Sequence, residues 1–90
     1  MKKLFVVEKL VEVVGERAWV ESKLFMNEEK AQAQLSAWKE EIIRDYTEEY
    51  SEIEEEDEAY RYELVVDGEN FYSVVVYEQE VEGDSPENEP

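Results

Sequence analysis

The residues with the most chemistry to offer are carboxylates. Nine of the fourteen positions from Asp45 to Glu58 are acidic: Asp45, Glu48, Glu49, Glu52, Glu54, Glu55, Glu56, Asp57 and Glu58. Grouped carboxylates can exchange protons, hold hard cations, or present a negative field to a basic partner. Proton exchange at neutral pH needs a carboxyl shifted by burial, and a run of adjacent, solvent-facing acids provides little desolvation. A dedicated calcium loop needs alternating acids, a glycine and a distal Glu, and that spacing is absent. The field is the chemistry that remains.

What the chain lacks narrows the reading further. It has no His and no Cys. Disulfides, thiolate or imidazole metal sites, Cys nucleophiles and Ser-His dyads are therefore excluded. Ser22, Ser36, Ser51, Ser73 and Ser85 stand in no nucleophile motif, and three glycines (Gly15, Gly68, Gly83) build no phosphate-cradling loop. The expectation is a protein that is not an enzyme, with no cofactor and no metal site.

The charge is also unevenly placed. Over 90 residues, nine Lys and Arg oppose 26 Asp and Glu, for a formal charge of -17. Residues 1–44 hold eight bases and eight acids, whereas residues 45–90 hold Arg61 against 18 acids. The whole excess thus lies in the second half, densest from Asp45 to Glu58 and sparser from Glu78 to Glu89. Direct nucleic-acid binding is disfavoured, because phosphates would be repelled. The expected partner is a basic protein.

These charges must be carried on structural elements. Residues 3–14 are rich in β-branched residues and end at Gly15, which predicts a strand. Apolar residues occupy both of its parities, which predicts burial on both faces or a bulge near Glu8-Lys9. Residues 17–26 predict a second strand, with Ala18, Val20, Leu24 and Met26 on one side and Trp19, Glu21, Lys23 and Phe25 on the other. Asn27 is a helix N-cap, followed by Glu28 and Glu29 at the positive end of the dipole. Ala31, Leu35, Trp38, Ile42, Tyr46 and Tyr50 form one apolar stripe, so the helix runs to a point between Tyr46 and Ile53. Mutual repulsion in Glu54–Glu58 is expected to end it. Residues 59–67 and 70–81 predict a hairpin turning at Asp67-Gly68, where both residues tolerate positive φ. Residues 83–90 have nothing apolar to bury and read as a disordered acidic tail behind a single domain, 1–82.

The predicted fold is α+β, ββαββ: a four-stranded antiparallel sheet with one helix on one face. A single helix leaves the other face bare. Trp19, Phe25, Phe71 and Tyr77 are the expected apolar binding residues of that face, with Val65, Val75 and part of the first strand beside them. A second copy of the chain is one candidate occupant, giving a homodimer.

The leading functional expectation is a non-enzymatic protein-binding module, acting through the acidic half, the open sheet face, or both. The alternative is mimicry of DNA. If residues 45–58 were helical, nine charges would lie along about 21 Å, about one per 2.3 Å. Duplex DNA carries one per about 1.7 Å. Glu41, Asp45, Glu48 or Glu49, Glu52, and Glu55 or Glu56 would then form one stripe. In size and charge the chain resembles small phage-encoded inhibitors that block DNA-binding grooves, although no motif assigns it to a family.

The apolar run Leu4–Val7 is too short for a signal peptide, and no segment approaches the ~18 apolar residues of a membrane span. The expectation is a cytoplasmic protein that does not contact membranes. Because like charges in a folded chain repel, stability at low salt is expected to be greater near pH 5 than near pH 8. Denaturant midpoints measured at the two pH values check this, and equal midpoints would show the acids to be too far apart to interact.

Overall fold

A computed structural model of the chain describes residues 2–81. The expected tail, 83–90, lies outside the described residues. The elements are β1 (Lys2–Glu12), β2 (Trp19–Phe25), α1 (Glu28–Tyr46), β3 (Ile53–Glu58), β4 (Arg61–Val66) and β5 (Asn70–Val81). The α+β class is as expected, but the sheet has five strands rather than four, in the order β2-β1-β5-β4-β3. Every neighbouring pair is antiparallel. α1 therefore connects one edge of the sheet to the other, passing over the strands between.

The extra strand is β3, which holds the acidic run Glu54–Glu58. Local composition argues against a strand there, since five acids are poor strand formers. Tertiary pairing overrides it: Ile53 lies opposite Val66, and Glu58 opposite Arg61. The helix accordingly stops well before the acids. Its C-cap is Thr47, in extended backbone, and the Thr47 hydroxyl donates to the Ile43 carbonyl at 2.6 Å. Tyr46 stacks on Tyr72, with ring centroids 4.4 Å apart, and fixes the last turn to β5. Tyr50 lies beyond the helix in a turn and is exposed.

The N-terminus of α1 forms as its sequence predicts. The Asn27 side-chain oxygen accepts from the Lys30 amide at 3.1 Å. Ala31, Leu35, Trp38 and Ile42 are buried along one stripe. They meet Val7 and Val11 of β1, Tyr62, Leu64 and Val66 of β4, and Tyr72, Val74 and Val76 of β5. At the β4–β5 turn, Asp67 and Gly68 both take positive φ. Strand β1 runs without a bulge. It pairs continuously with β2 from Phe5 to Val11 and with β5 from Lys2 to Glu12. As the central strand of its half, it is buried on both sides, with Val7 and Val11 on the helix face and Val6 on the other.

One charge lies inside this framework. Lys9 is 5% exposed on the helix-facing side of β1. Its Nζ lies 3.3 Å from Glu21 of β2 and 3.7 Å from Glu41 of α1. It also sits 5.2 Å from the Trp19 ring centroid and 5.0 Å from that of Trp38. Two ring faces and two carboxylates together offset the desolvation of the ammonium. Neutralising both acids (Glu21→Gln with Glu41→Gln) is expected to cost about 1–3 kcal/mol, because it strands a buried cation. Lys9→Met, which removes the charge and keeps the volume, is expected to cost less. Urea midpoints decide, and the reverse order would mean that the ion pairs contribute more than the buried charge costs.

Candidate functional site

The register assigns each strand residue to a face, because directly opposed residues in an antiparallel pair share one. On the side away from α1 lie Val20 and Leu24 of β2, Leu4, Val6 and Leu10 of β1, Phe71, Val75 and Tyr77 of β5, and Val65 of β4. No element covers them among the described residues. Val20 is 59% exposed, Leu24 62% and Tyr77 43%. Leu4, Leu10, Val65, Phe71 and Val75 are half-buried by their neighbours.

The structure divides the expected apolar set. Phe71 and Tyr77 are on the open face. Trp19 and Phe25 are not: Trp19 covers Lys9, and Phe25 packs against the core. The two parities of β2 are as expected, but their assignment is reversed. The Lys9–Glu21 pair draws Glu21, and with it Trp19, Lys23 and Phe25, to the helix side, leaving Val20 and Leu24 outside.

The acidic set is divided in the same way. Asp45 ends α1 and contacts Arg44 at 3.2 Å. Glu48 and Glu49 lie in the turn after it, where the Glu48 amide donates to Ser51 Oγ. The Glu52 amide donates to Asp67 Oδ1 at 2.9 Å. Asp45 and Glu48 line a hollow of about 370 Å³ together with Glu16 and Asp67. Within β3 the pleat separates alternate acids. Glu55 and Asp57 turn toward the helix, where Glu55 accepts from the Tyr62 hydroxyl at 2.6 Å and Asp57 pairs with Lys39. Glu54, Glu56 and Glu58 turn to the open side. Arg61 lies among them, 3.4 Å from Glu56, 3.6 Å from Glu58 and 3.5 Å from Glu63. Three carboxylates, Glu56, Glu58 and Glu63, thus surround one guanidinium at one margin of the open apolar face, with Glu54 farther along the same strand. The helical stripe of acids does not exist, since residues 53–58 are a strand and the helix ends at Tyr46.

The open-face members that the sequence reading missed are Val20 and Leu24; the expected part of the first strand is Leu4, Val6 and Leu10. The available signal was Lys9, a base between Val7 and Val11 on one face of its strand, which lies opposite Glu21 once the hairpin closes. Among the described residues, no three His, Cys, Asp or Glu side chains converge to hold a metal ion, and no helix is long and apolar enough to cross a membrane. No family model, curated protein or solved structure matches the chain.

The tyrosines under the helix side carry a pH signature. Burial, and then the Glu55 hydrogen bond, push Tyr62 well above the ordinary tyrosine value. Burial likewise raises Tyr72, and the Glu28 hydrogen bond raises Tyr60. A raised folded value means that the neutral phenol is favoured by folding. The contribution is therefore complete below the unfolded value near 10 and is lost as pH climbs from there toward the folded values. The denaturant midpoint is expected to fall between about pH 9 and about pH 11, and to fall less in Tyr62→Phe. An equal fall in both proteins would remove Tyr62 as a source.

Proposed function

We propose that this chain is a non-enzymatic protein-binding module that seats a basic partner on the open face of its sheet. One observation carries the reading: uncovered apolar side chains of β2, β1 and β5 adjoin, across β4, the margin of Glu54, Glu56, Glu58 and Glu63. An apolar centre with a charged margin is the usual layout of a protein interface. The apolar residues supply affinity through burial, and Phe71 and Tyr77 supply aromatic anchors. The acids steer a basic surface into register and reject acidic ones. Nothing in this reading calls on catalysis or a cofactor, and a cytoplasmic setting suits it.

DNA mimicry stands as a second reading, favoured by one spacing. A strand advances about 3.4 Å per residue, and phosphates recur every 3.4 Å along one DNA strand. Five consecutive acids in β3 reproduce that linear charge density, although the pleat sends alternate charges to opposite faces.

The two readings separate by salt and by variant. The wild type, Phe71→Ser/Tyr77→Ser, and Glu54→Gln/Glu56→Gln/Glu58→Gln would be used as baits at ~0.1 M and ~0.5 M salt. The interface reading expects a basic protein that survives the higher salt on the wild type and is weakened at least tenfold by the Phe71/Tyr77 change. A partner lost at high salt, indifferent to Phe71 and Tyr77, and abolished by the triple Gln change would overturn it in favour of mimicry.

A further inference from the structure

The two edges of the sheet are built in opposite ways. β3 presents five acids in six residues, and any strand of like composition would be repelled there. β2 lies at the other edge, in the half of the chain whose charges cancel. Its sequence, Trp19-Val20-Glu21-Ser22-Lys23-Leu24-Phe25, is symmetric in chemical type about Ser22. Reading outward from Ser22, each side runs charged, aliphatic, aromatic, and the two charges are opposite.

We propose that β2 pairs with β2 of a second copy, antiparallel about Ser22, to join two five-stranded sheets into one of ten strands. In that register Glu21 faces Lys23 of the second copy, Val20 faces Leu24, and Trp19 faces Phe25, each twice by the two-fold symmetry. The register is selective. Sliding by two residues either way, the smallest shift that keeps the faces aligned, sets Glu21 against Glu21 or Lys23 against Lys23. A one-residue slip turns each side chain to the wrong face. A two-fold can sit on either kind of antiparallel pair, so the pairing does not depend on which backbone groups of β2 point outward.

The densest block of negative charge does not oppose this arrangement. The acidic β3 strands fall at the two far ends of the joined sheet, nine strand spacings apart, roughly 43 Å. That is several times the screening length of about 8 Å at physiological salt. The helices lie on one side and the two open apolar faces become continuous on the other, with Val20 and Leu24 at the centre and acids at both outer margins. The inference is independent of the basic-partner reading, since it requires only the chain itself.

Sedimentation equilibrium of the purified chain, without partner, tests it. The expected result is a concentration-dependent rise from the 10.7 kDa chain mass toward twice that value. Val20→Lys/Leu24→Lys sets Lys against Lys across the two-fold and is expected to remain a single chain. Val20→Lys/Leu24→Glu sets Lys against Glu and is expected to restore the dimer. Both positions are exposed, and circular dichroism verifies that each variant is folded. Lys23→Glu, on the opposite face, is a second disrupting change, because it faces Glu21. A wild type that stays at the single-chain mass up to about 1 mM overturns the proposal. So does a Lys/Lys variant that associates as well as the wild type, or a Lys/Glu variant that associates no better than Lys/Lys.

Discussion

A single ammonium group organises this molecule. Lys9 lies in the middle of the central strand of its half of the sheet and is buried beneath the helix. A cation there is tolerable only if its neighbours replace water, and the neighbours come from three elements: β1 carries it, β2 gives Glu21 and Trp19, and α1 gives Glu41 and Trp38. The helix cannot move to the other face of the sheet without abandoning these contacts. β2 cannot slip by one residue without turning Glu21 away. The consequence reaches the opposite surface. Because Glu21 must face inward, strand alternation sends Val20 and Leu24 outward, and the open apolar face follows from a charge on the side it does not touch.

That chain of dependence explains what could be read from the residues alone. The helix N-cap, its apolar stripe as far as Tyr46, the Asp67-Gly68 turn and the hairpin character of each half rest on local physics, and the structure has them. The parity of β2 was also legible, since alternation partitions a strand into two sets. Alternation does not say which set is inside. Trp19 and Phe25 are larger than Val20 and Leu24, and their exposure on a bare face was the natural expectation for aromatic anchors. A contact between strands, Lys9 to Glu21, decides the matter. It appears only when the hairpin register is known.

β3 was illegible for a different reason. Its residues have weak strand preference and strong mutual repulsion, so nothing local selects an extended form. Selection comes from what lies beside it. Arg61 is shared by Glu56, Glu58 and Glu63, Lys39 pairs with Asp57, and the Tyr62 hydroxyl donates to Glu55. Two cations and one hydroxyl relieve the repulsion on both faces of the strand. The position matters as well: at an edge, carboxylates stay hydrated while the backbone pairs on one side only. The candidate acids were therefore visible as a charge density, while their division into helix-side and open-side sets depends on a pleat that the same residues give no sign of adopting.

The resulting sheet is polarised across its strands. One edge is acidic and closed to further pairing, the other is neutral and open, and apolar side chains lie between them on the bare face. These features act over different distances. Acids act through solvent across about a screening length and favour the approach of basic surfaces. Apolar side chains act only on contact, by removing surface from water. Separating the two along one sheet lets a protein of high net charge bury apolar surface without also burying its unpaired carboxylates, since the acids remain at the hydrated margin. The same separation places the neutral edge at the point of lowest repulsion between two copies. A uniformly acidic surface would forbid both kinds of contact. Concentrating the excess charge in one half of the chain, and folding that half to one side of the sheet, leaves them open.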